Sequence, residues 1–517
     1  MATDAKNQSG IIETFQSLVV AFALAMVFRG FVVEGFVIPT GSMAPTLLGQ
    51  HLLMHSDQTG QDFPVGFDVK RSVSPDRFTD PLLGRAIPLS MSEAKKIRPQ
   101  GGDRVLVLKT LFPFFEPERF DVVVFKNPTD TQGQSANYIK RLIGLPGETL
   151  WIADGDIFAK KKDGPFLIQR KPEHTQHSLW RTISDSDALP TDMLALTRPW
   201  RGPPWRSRPE NSWSFENRTW TCNTSNPSTL EWDESKMNID DWLSYNMLMT
   251  NLGDEPMSDV RIGATIVPES SNLKASFTIE AIQHRFTWLL EDGMASLIML
   301  TKQGVEVMSI EAVHDSLSAG TPTRVEFWHV DQMMALYING DKIAELLYDF
   351  GPEGRLRLAT GADSSEPIAD VADRSGKPPK LVWHFEGTPL TMTRLKIDHD
   401  LYYRSSRLRS RATKNPTKPG NEQLVEFGSP GFGTHPDKLA VLDEDQFMMA
   451  GDNSTYSHDG RQWGNPDVFV ATQIDDSPFV VHRDLLIGKA WSVYWPTAHR
   501  LGSIPIIPDF GRIRFIR

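Results

Sequence analysis

The sequence predicts a mostly β protein: a small β core built from two separated stretches, one apolar N-terminal helix, and a large β-sandwich inserted between the two halves of the core. Three observations lead there. Short β-branched runs bounded by Gly and Pro crowd residues 103–152. Alternating apolar runs with regular turns fill much of 158–422. Only residues 11–33 form an apolar stretch near the ~20 residues a bilayer requires.

The chain has 517 residues, enough for two or three domains, and its 40% hydrophobic and 23% charged residues are those of a folded protein. A net charge of −11 excludes a nucleic-acid binder, whose surface must neutralise phosphates. Cys222 is the one cysteine, so neither an internal disulfide nor a cysteine-based zinc site can form. It stands among polar, loop-like residues and reads as structurally incidental. Basic residues gather in 404–414, read as a solvated loop, and in 512–517, which could touch anionic lipid head groups.

In chain order, residues 11–33 read as a transmembrane helix and not as a removable leader. The front carries only Lys6 against Asp4, and no small-residue cleavage site follows. Directly after it comes Val37-Ile38-Pro39-Thr40-Gly41-Ser42-Met43-Ala44-Pro45-Thr46-Leu47. Proline restricts the backbone on either side of Ser42, and Gly41 admits dihedrals that a bulkier residue would not. Such a turn can hold a hydroxyl exposed, with the Ser42 N–H facing the same space. Residues 51–100 look irregular, with a short helical segment near 90–96. His51 and His55 are four apart but lack a carboxylate or cysteine partner, so they read as surface histidines and not as a metal site.

Strands are expected at 103–108, 120–125 and 137–143, followed by the turn Gly144-Leu145-Pro146-Gly147-Glu148 and a hairpin partner at 149–152. In the middle of the chain they are expected at 275–281, 295–301, 324–330, 335–340, 355–358, 381–385 and 392–397. Trp200, Trp205, Trp213 and Trp220 crowd one stretch; they either form an aromatic surface for a glycan or protein, or fill a β core. The last hundred residues return to β texture at 446–450, 479–481 and 485–495. No second long apolar run follows, so the C-terminus is expected on the same side of the membrane as the core.

A serine nucleophile needs a base, and His51, His458 and Lys140 are the candidates. Lys140 and Arg141 occupy an apolar strand, whose successive side chains point to opposite faces, so one of the two must face the interior. A lysine there has its charged form disfavoured and can act as a neutral amine that takes a proton from Ser42. Arginine cannot, because it does not deprotonate.

Four pieces, in this order, resemble type I signal peptidase. They are the apolar run leading into Ile38-Pro39-Thr40-Gly41-Ser42-Met43-Ala44-Pro45-Thr46-Leu47; Gly102-Asp103-Arg104-Val105 with Asp121-Val122-Val123-Val124-Phe125; Lys140-Arg141-Leu142-Ile143-Gly144-Leu145-Pro146-Gly147-Glu148; and Gly451-Asp452-Asn453-Ser454-Thr455-Tyr456-Ser457-His458-Asp459-Gly460-Arg461. The resemblance implies a signal-peptidase-type β core with Ser42 as nucleophile and Lys140 as general base. It implies an oxyanion hole of the Ser42 N–H and the Thr40 hydroxyl, and Ser457 orienting the lysine. Arg141, Asp452, Asp459 and Arg461 support the site, with Asp459 and Arg461 as an ion pair. Gly460 stands where the family often has serine. No metal or cofactor is implied.

The implied substrates are exported pre-proteins carrying a signal peptide, with small residues at the first and third positions before the cut, bound as an added β-strand. The implied place is the cytoplasmic (inner) membrane, crossed once, with the catalytic domain on the outer, periplasmic face and lipid as a neighbour. This divides the chain into a cytoplasmic N-terminus (1–10), the transmembrane helix (11–33), a first part of the core (34–157, with 51–100 irregular), an inserted β-sandwich (158–422) and a second part of the core (423–517). Within the insertion, Val325-Glu326-Phe327-Trp328-His329 and Ala335-Leu336-Tyr337-Ile338-Asn339-Gly340 resemble the concanavalin-A-like jelly roll of laminin-G and lectin-type domains. Two other readings were weighed. A self-cleaving repressor shares the Ser-Lys mechanism but should carry a DNA-binding head in place of the apolar run. A membrane-anchored binding protein with an inert protease core, its sandwich holding a glycan or protein, predicts loss of Ser42, Lys140 or Ser457, and all three are present.

Overall fold

The β-branched runs on either side of the long middle stretch pair with one another. In order across one eight-stranded sheet lie Val33–Val37, Arg104–Leu108, Leu486–Trp495, Val122–Lys126, Asn137–Gly144, Gln446–Ala450 and Val481–His482, and Arg514–Phe515 adds to Leu486–Trp495. The computed structural model describes residues 13–24, 26, 30, 32–56, 58–67, 77–88, 97–112, 114–130, 137–189, 202–248, 253–314, 317–408, 428–501 and 504–517.

Alternation along Val122–Lys126 sends Val122 and Val124 into one apolar cluster with Val105, Val107 and Val493, and Val123 and Phe125 into another with Leu142, Phe447 and Phe479. Both faces of the sheet are therefore covered. This corrects the expectation that only one of Lys140 and Arg141 faces the interior: both are buried, at 3% and 0% exposure.

The turn at 144–148 forms, with Gly147 at φ 71°. The expected hairpin does not. Glu148–Ala153 leaves the sheet and pairs with Asp156–Lys161 and Ala440–Val441 in a four-stranded sheet completed by Leu167–Ile168. The reason lies in its composition. Leu150 and Ile152 enter one apolar cluster while Trp151 and Ala153 enter another, so this strand needs cover on both faces. Residues 51–100 are also more ordered than expected, with hairpins of His51–His55 with Asp62–Gly66 and Arg77–Asp80 with Arg85–Pro88. The helical segment expected at 90–96 lies outside the described residues.

The middle of the chain forms two facing antiparallel sheets, one of eight strands and one of seven. Phe277, Trp288, Phe327 and Trp383 fill the space between them, Phe277 stacking on Phe327 with centroids 5.7 Å apart. Trp205, Trp213 and Trp220 are buried in this same core, so these three serve packing and not a glycan surface; Trp200 lies outside the described residues. Cys222 also belongs to this core, on strand Thr219–Cys222, and is not a loop residue. Residues 355–358, expected as a strand, sit in the helix Gly351–Thr360. Pro352 in its first turn and Gly361 at φ 73° beyond its end are helix signals that outweigh four residues of Arg-Leu alternation.

Buried ion pairs tie the sandwich to the small sheet: Arg355 to Asp154 at 2.8 Å and Asp259 at 3.0 Å, and Lys171 to Asp331 at 2.5 Å and Asp400 at 2.8 Å. Arg404, expected in a solvated loop, is buried and paired with Asp241. At the N-terminus residues 13–24 are helical, and Phe15, Leu18, Val19, Val20, Phe22 and Leu24 are exposed. No helix among the described residues is long and apolar enough to cross a membrane. The last residue of the expected span, Val33, already pairs with Leu108 in the large sheet.

Candidate active site

Ile38 leaves the sheet through a bond from its N–H to the Asp103 carbonyl (2.9 Å), and the chain then tightens into a single 3-10 turn, Gly41–Met43, closed by the Ala44 N–H on the Gly41 carbonyl (3.0 Å). Met43, Ala44 and Leu47 are fully buried and hold the turn down. Gly41 is not in a left-handed conformation. Its lack of a side chain matters for another reason: the ring of Tyr245 fills the place where a Cβ would stand. The expectation of dihedral freedom at Gly41 is thus corrected to one of close approach. Ser42 is also less open than an exposed turn suggests, at 8% exposure.

Lys140 reaches this turn from strand Asn137–Gly144, and its Nζ donates to Ser42 Oγ at 2.5 Å. Burial pushes the Lys140 pKa down from its ordinary 10.5 to about 8; the carboxylates of Asp459 and Asp452 oppose this and Arg461 assists it. The two histidine candidates lie elsewhere. The His51 ring bonds the Gly49 carbonyl at 2.7 Å, and His458 is exposed. His51 is itself buried and not a surface residue, while His55 is exposed and does have a carboxylate partner, Asp62 at 2.7 Å.

Residues 451–461 close the site from the other side. Asp452 receives Arg141 through Nε (2.8 Å) and Nη2 (2.6 Å), and the Thr46 hydroxyl at 2.6 Å. Burial works against this carboxylate, but the guanidinium and the hydroxyl hold its pKa below the usual range. Asp459 is held low in the same way by Arg461, whose Nη2 lies 2.8 Å away, against the effect of burial. Gly451 is wedged between the Ser42 carbonyl and the Ser457 side chain, so a Cβ there would strike both. The Ser457 hydroxyl is buried beside that contact and close to Asp459, but among the described residues no hydrogen bond joins it to Lys140, the lysine it was expected to orient. Thr40 precedes the turn in an extended conformation (φ −125°, ψ 158°), and its hydroxyl is not spent on capping it. A cleft of about 720 Å³ opens beside the turn, lined by Pro45, Phe63, Trp180, Trp242 and Tyr245 among others.

Residues 11–197 match the family described as signal peptidase, peptidase S26. Over this stretch the chain is similar to signal peptidases. Signal peptidase I of Rickettsia typhi is 29% identical over 157 residues, which cover 30% of this chain and 46% of that protein. Signal peptidase I of Pseudomonas aeruginosa is 29% identical over 190 residues, covering 34% of this chain and 51% of that protein. The chain thus spans about half the length of the curated relatives it matches. Among solved structures, the carbohydrate-binding module CBM66 from Bacillus subtilis aligns with a TM-score of 0.24 and 4% identity, over 38% of this chain and 97% of that one.

The S26 match contains Thr40, Ser42, Lys140 and Arg141 and ends well before Asp452, Ser457, Asp459 and Arg461. The fold brings both groups to one place. It also brings residues to the turn that sequence reasoning missed: Thr46, Asn453, Tyr245 and Asn246. Asn453 lies inside a quoted motif and could have been singled out there. Tyr245 and Asn246 carry no signal in a single sequence.

Proposed function

We propose that this chain is an S26 signal peptidase, a serine endopeptidase that removes N-terminal signal peptides from exported pre-proteins, with Ser42 as nucleophile and Lys140 as general base. The observation that carries this reading is the 2.5 Å approach of Lys140 Nζ to Ser42 Oγ in a buried site. With its pKa near 8, Lys140 is partly neutral at physiological pH. The neutral amine takes the Ser42 proton as Oγ attacks the scissile carbonyl. The resulting oxyanion is held by the Ser42 N–H and the Thr40 hydroxyl, where loss of one donor typically costs ~10²–10³ in rate. The Lys140 ammonium then gives its proton to the departing amine, and water activated by the same amine releases the acyl group. In this reading Asp459 orients the lysine, Arg461 balances Asp459, and Arg141 with Asp452 locks the strand behind it.

Substrate would enter as a β-strand. Val122–Lys126 pairs with Asn137–Gly144 from Arg141 down to Asn137, whereas Gln446–Ala450 pairs on the other side only from Gly144 to Arg141. Among the described residues, 137–140 thus keep one open edge, and it leads directly to Lys140. Main-chain bonds along such an edge supply affinity, and shallow pockets beside it select small side chains.

A place at the cytoplasmic membrane, crossed once with the catalytic domain outside, is supported by two features. The helix at 13–24 exposes apolar side chains throughout. Trp491, Tyr494, Trp495, Phe510 and Phe515 are exposed on the strands and turn near Val33–Val37, into which that helix leads, and amphipathic aromatics favour the lipid interface.

Cleavage of a model pre-protein by the detergent-solubilised chain tests this, using wild type, Ser42→Ala and Lys140→Ala. Only wild type is expected to cut, after a small residue. Activity in Ser42→Ala would overturn the nucleophile, and an inactive but folded wild type would overturn the reading.

A further inference from the structure

The S26 match ends at residue 197, yet the turn that carries Ser42 is held from beyond it. Ser244–Asn246, a short 3-10 turn of the inserted region, docks directly on Gly41–Met43. The Tyr245 ring lies over Gly41 and Gly66, and its hydroxyl donates to the Gln50 carbonyl at 3.0 Å. Next to it, Asn246 and Asn453 face each other as a reciprocal amide pair, each Nδ2 donating to the other's Oδ1 at 2.8 Å.

We propose that Asn246 is a positioning residue for catalysis, acting through Asn453 to aim the Ser42 N–H, so that the inserted domain is a working part of the catalytic centre. The inference rests on the Ser42–Lys140 reading and adds a residue to it.

The geometry runs as a chain of fixed orientations. Asn453 Nδ2 has two hydrogens. One goes to Asn246 Oδ1 and the other to the Gly41 carbonyl at 3.0 Å. Its backbone N–H donates to the Ser42 carbonyl at 3.1 Å. The Gly41 carbonyl and the Ser42 N–H belong to one planar peptide unit and point in opposite directions. Fixing the carbonyl therefore fixes the direction of the N–H that would receive the oxyanion. An amide held on one side only can turn over, and a turned Asn453 would set its Oδ1 against the Gly41 carbonyl, acceptor to acceptor. The pair with Asn246 opposes that, because Asn453 turning alone would lose both of its bonds, and they return only if Asn246 turns with it. Asn453 is fully buried and Asn246 nearly so, and a buried polar group deprived of its partner is costly.

The test uses the full chain in detergent with Asn246→Ala, Asn453→Ala, the double variant, and Thr278→Val as a control that removes a hydroxyl pair inside the sandwich, remote from Ser42. Turnover is counted per folded molecule. Asn246→Ala is expected to lower kcat about 10–100-fold, up to what loss of an oxyanion donor costs, with KM changed less than about threefold. The alkaline limb of the pH profile stays in place, because Lys140 is untouched. The double variant is expected to be no slower than Asn453→Ala alone, since both act on one peptide unit. Asn246→Asp keeps the acceptor that receives Asn453 Nδ2 and has no donor to pair with the oxygen of the turned amide, so it is expected to retain most of the kcat that the alanine variant loses.

Hydrogen exchange of the peptide covering 41–47 should quicken in Asn246→Ala and not in Thr278→Val. Wild-type kcat in Asn246→Ala, a loss in Asn246→Asp as large as that in the alanine variant, additive losses in the double variant, or unchanged exchange at 41–47 would each overturn the proposal. Failure of the Ser42–Lys140 reading shows separately, in wild type and Ser42→Ala, and the exchange experiment does not depend on activity.

Discussion

The pH dependence of cleavage follows directly from where Lys140 sits. Its pKa is lowered from 10.5 to about 8, chiefly by burial. In the proposed mechanism the working form is the neutral amine, so activity should rise with pH. With a pKa of about 8, roughly a hundredth of the lysine is neutral at pH 6, about a tenth at pH 7 and about nine-tenths at pH 9. The ratio kcat/KM should therefore climb about tenfold per pH unit up to pH 7, bend near 8 and be level above 9, a total gain of roughly a hundredfold. An internally quenched peptide, assayed from pH 6 to 10 in detergent, reads this limb for the free enzyme. Lys140→Arg keeps the positive charge but cannot deprotonate, so it should be inactive throughout the range. Each competing base makes its own mark. A histidine such as His51, whose pKa burial lowers from 6.5, would give a profile already level by about pH 7. A solvated lysine would give one still rising near its ordinary pKa of 10.5. Either result, or a flat profile, would refute the assignment.

Two substitutions probe the support of the site. Asp452→Ala strands the Arg141 guanidinium, which shares full burial with its partner, and should destabilise the protein by about 3–5 kcal/mol in denaturant or thermal unfolding; a change below about 1 kcal/mol would mean that the pair does not hold the fold. Gly451→Ala places a methyl group against the Ser42 carbonyl and the Ser457 side chain. It should lower kcat at least about tenfold by shifting the nucleophile's turn, and a wild-type kcat would show that the turn absorbs the methyl without moving.

What the sequence made legible is which motifs meet at the candidate site and the strands whose pattern is local. Ser42, Lys140 and the 451–461 stretch are recognisable because each motif is dense, and the sandwich strands because apolar residues alternate. The hairpin expected across Gly147 does not form because Glu148–Ala153 finds better cover elsewhere, pairing with Asp156–Lys161 after it and with the distant Ala440–Val441 and not with Asn137–Gly144 before it. Gly41 was assigned the wrong reason because Tyr245, which demands its small size, lies some two hundred residues on. Trp205, Trp213 and Trp220 were ambiguous between surface and core, since aromatic residues suit either, and only the packed sheets decide it. In the same way, four residues of Arg-Leu alternation cannot reveal that Arg355 turns inward to meet Asp154 and Asp259 from a helix.

The strand order of the large sheet bears on how the protein comes into being. Leu486–Trp495 lies between Arg104–Leu108 and Val122–Lys126, so two strands made early become neighbours of a strand made more than three hundred residues later. The Arg141–Asp452 pair likewise joins residues 311 positions apart. During synthesis Ser42 and Lys140 emerge early, but the sheet that sets them 2.5 Å apart cannot close until the strands beyond the sandwich have been made. A product cut short anywhere in the sandwich would hold both Ser42 and Lys140 and still be inert. Whatever Ser42 and Lys140 do together, they can do only once both halves of the core have been made.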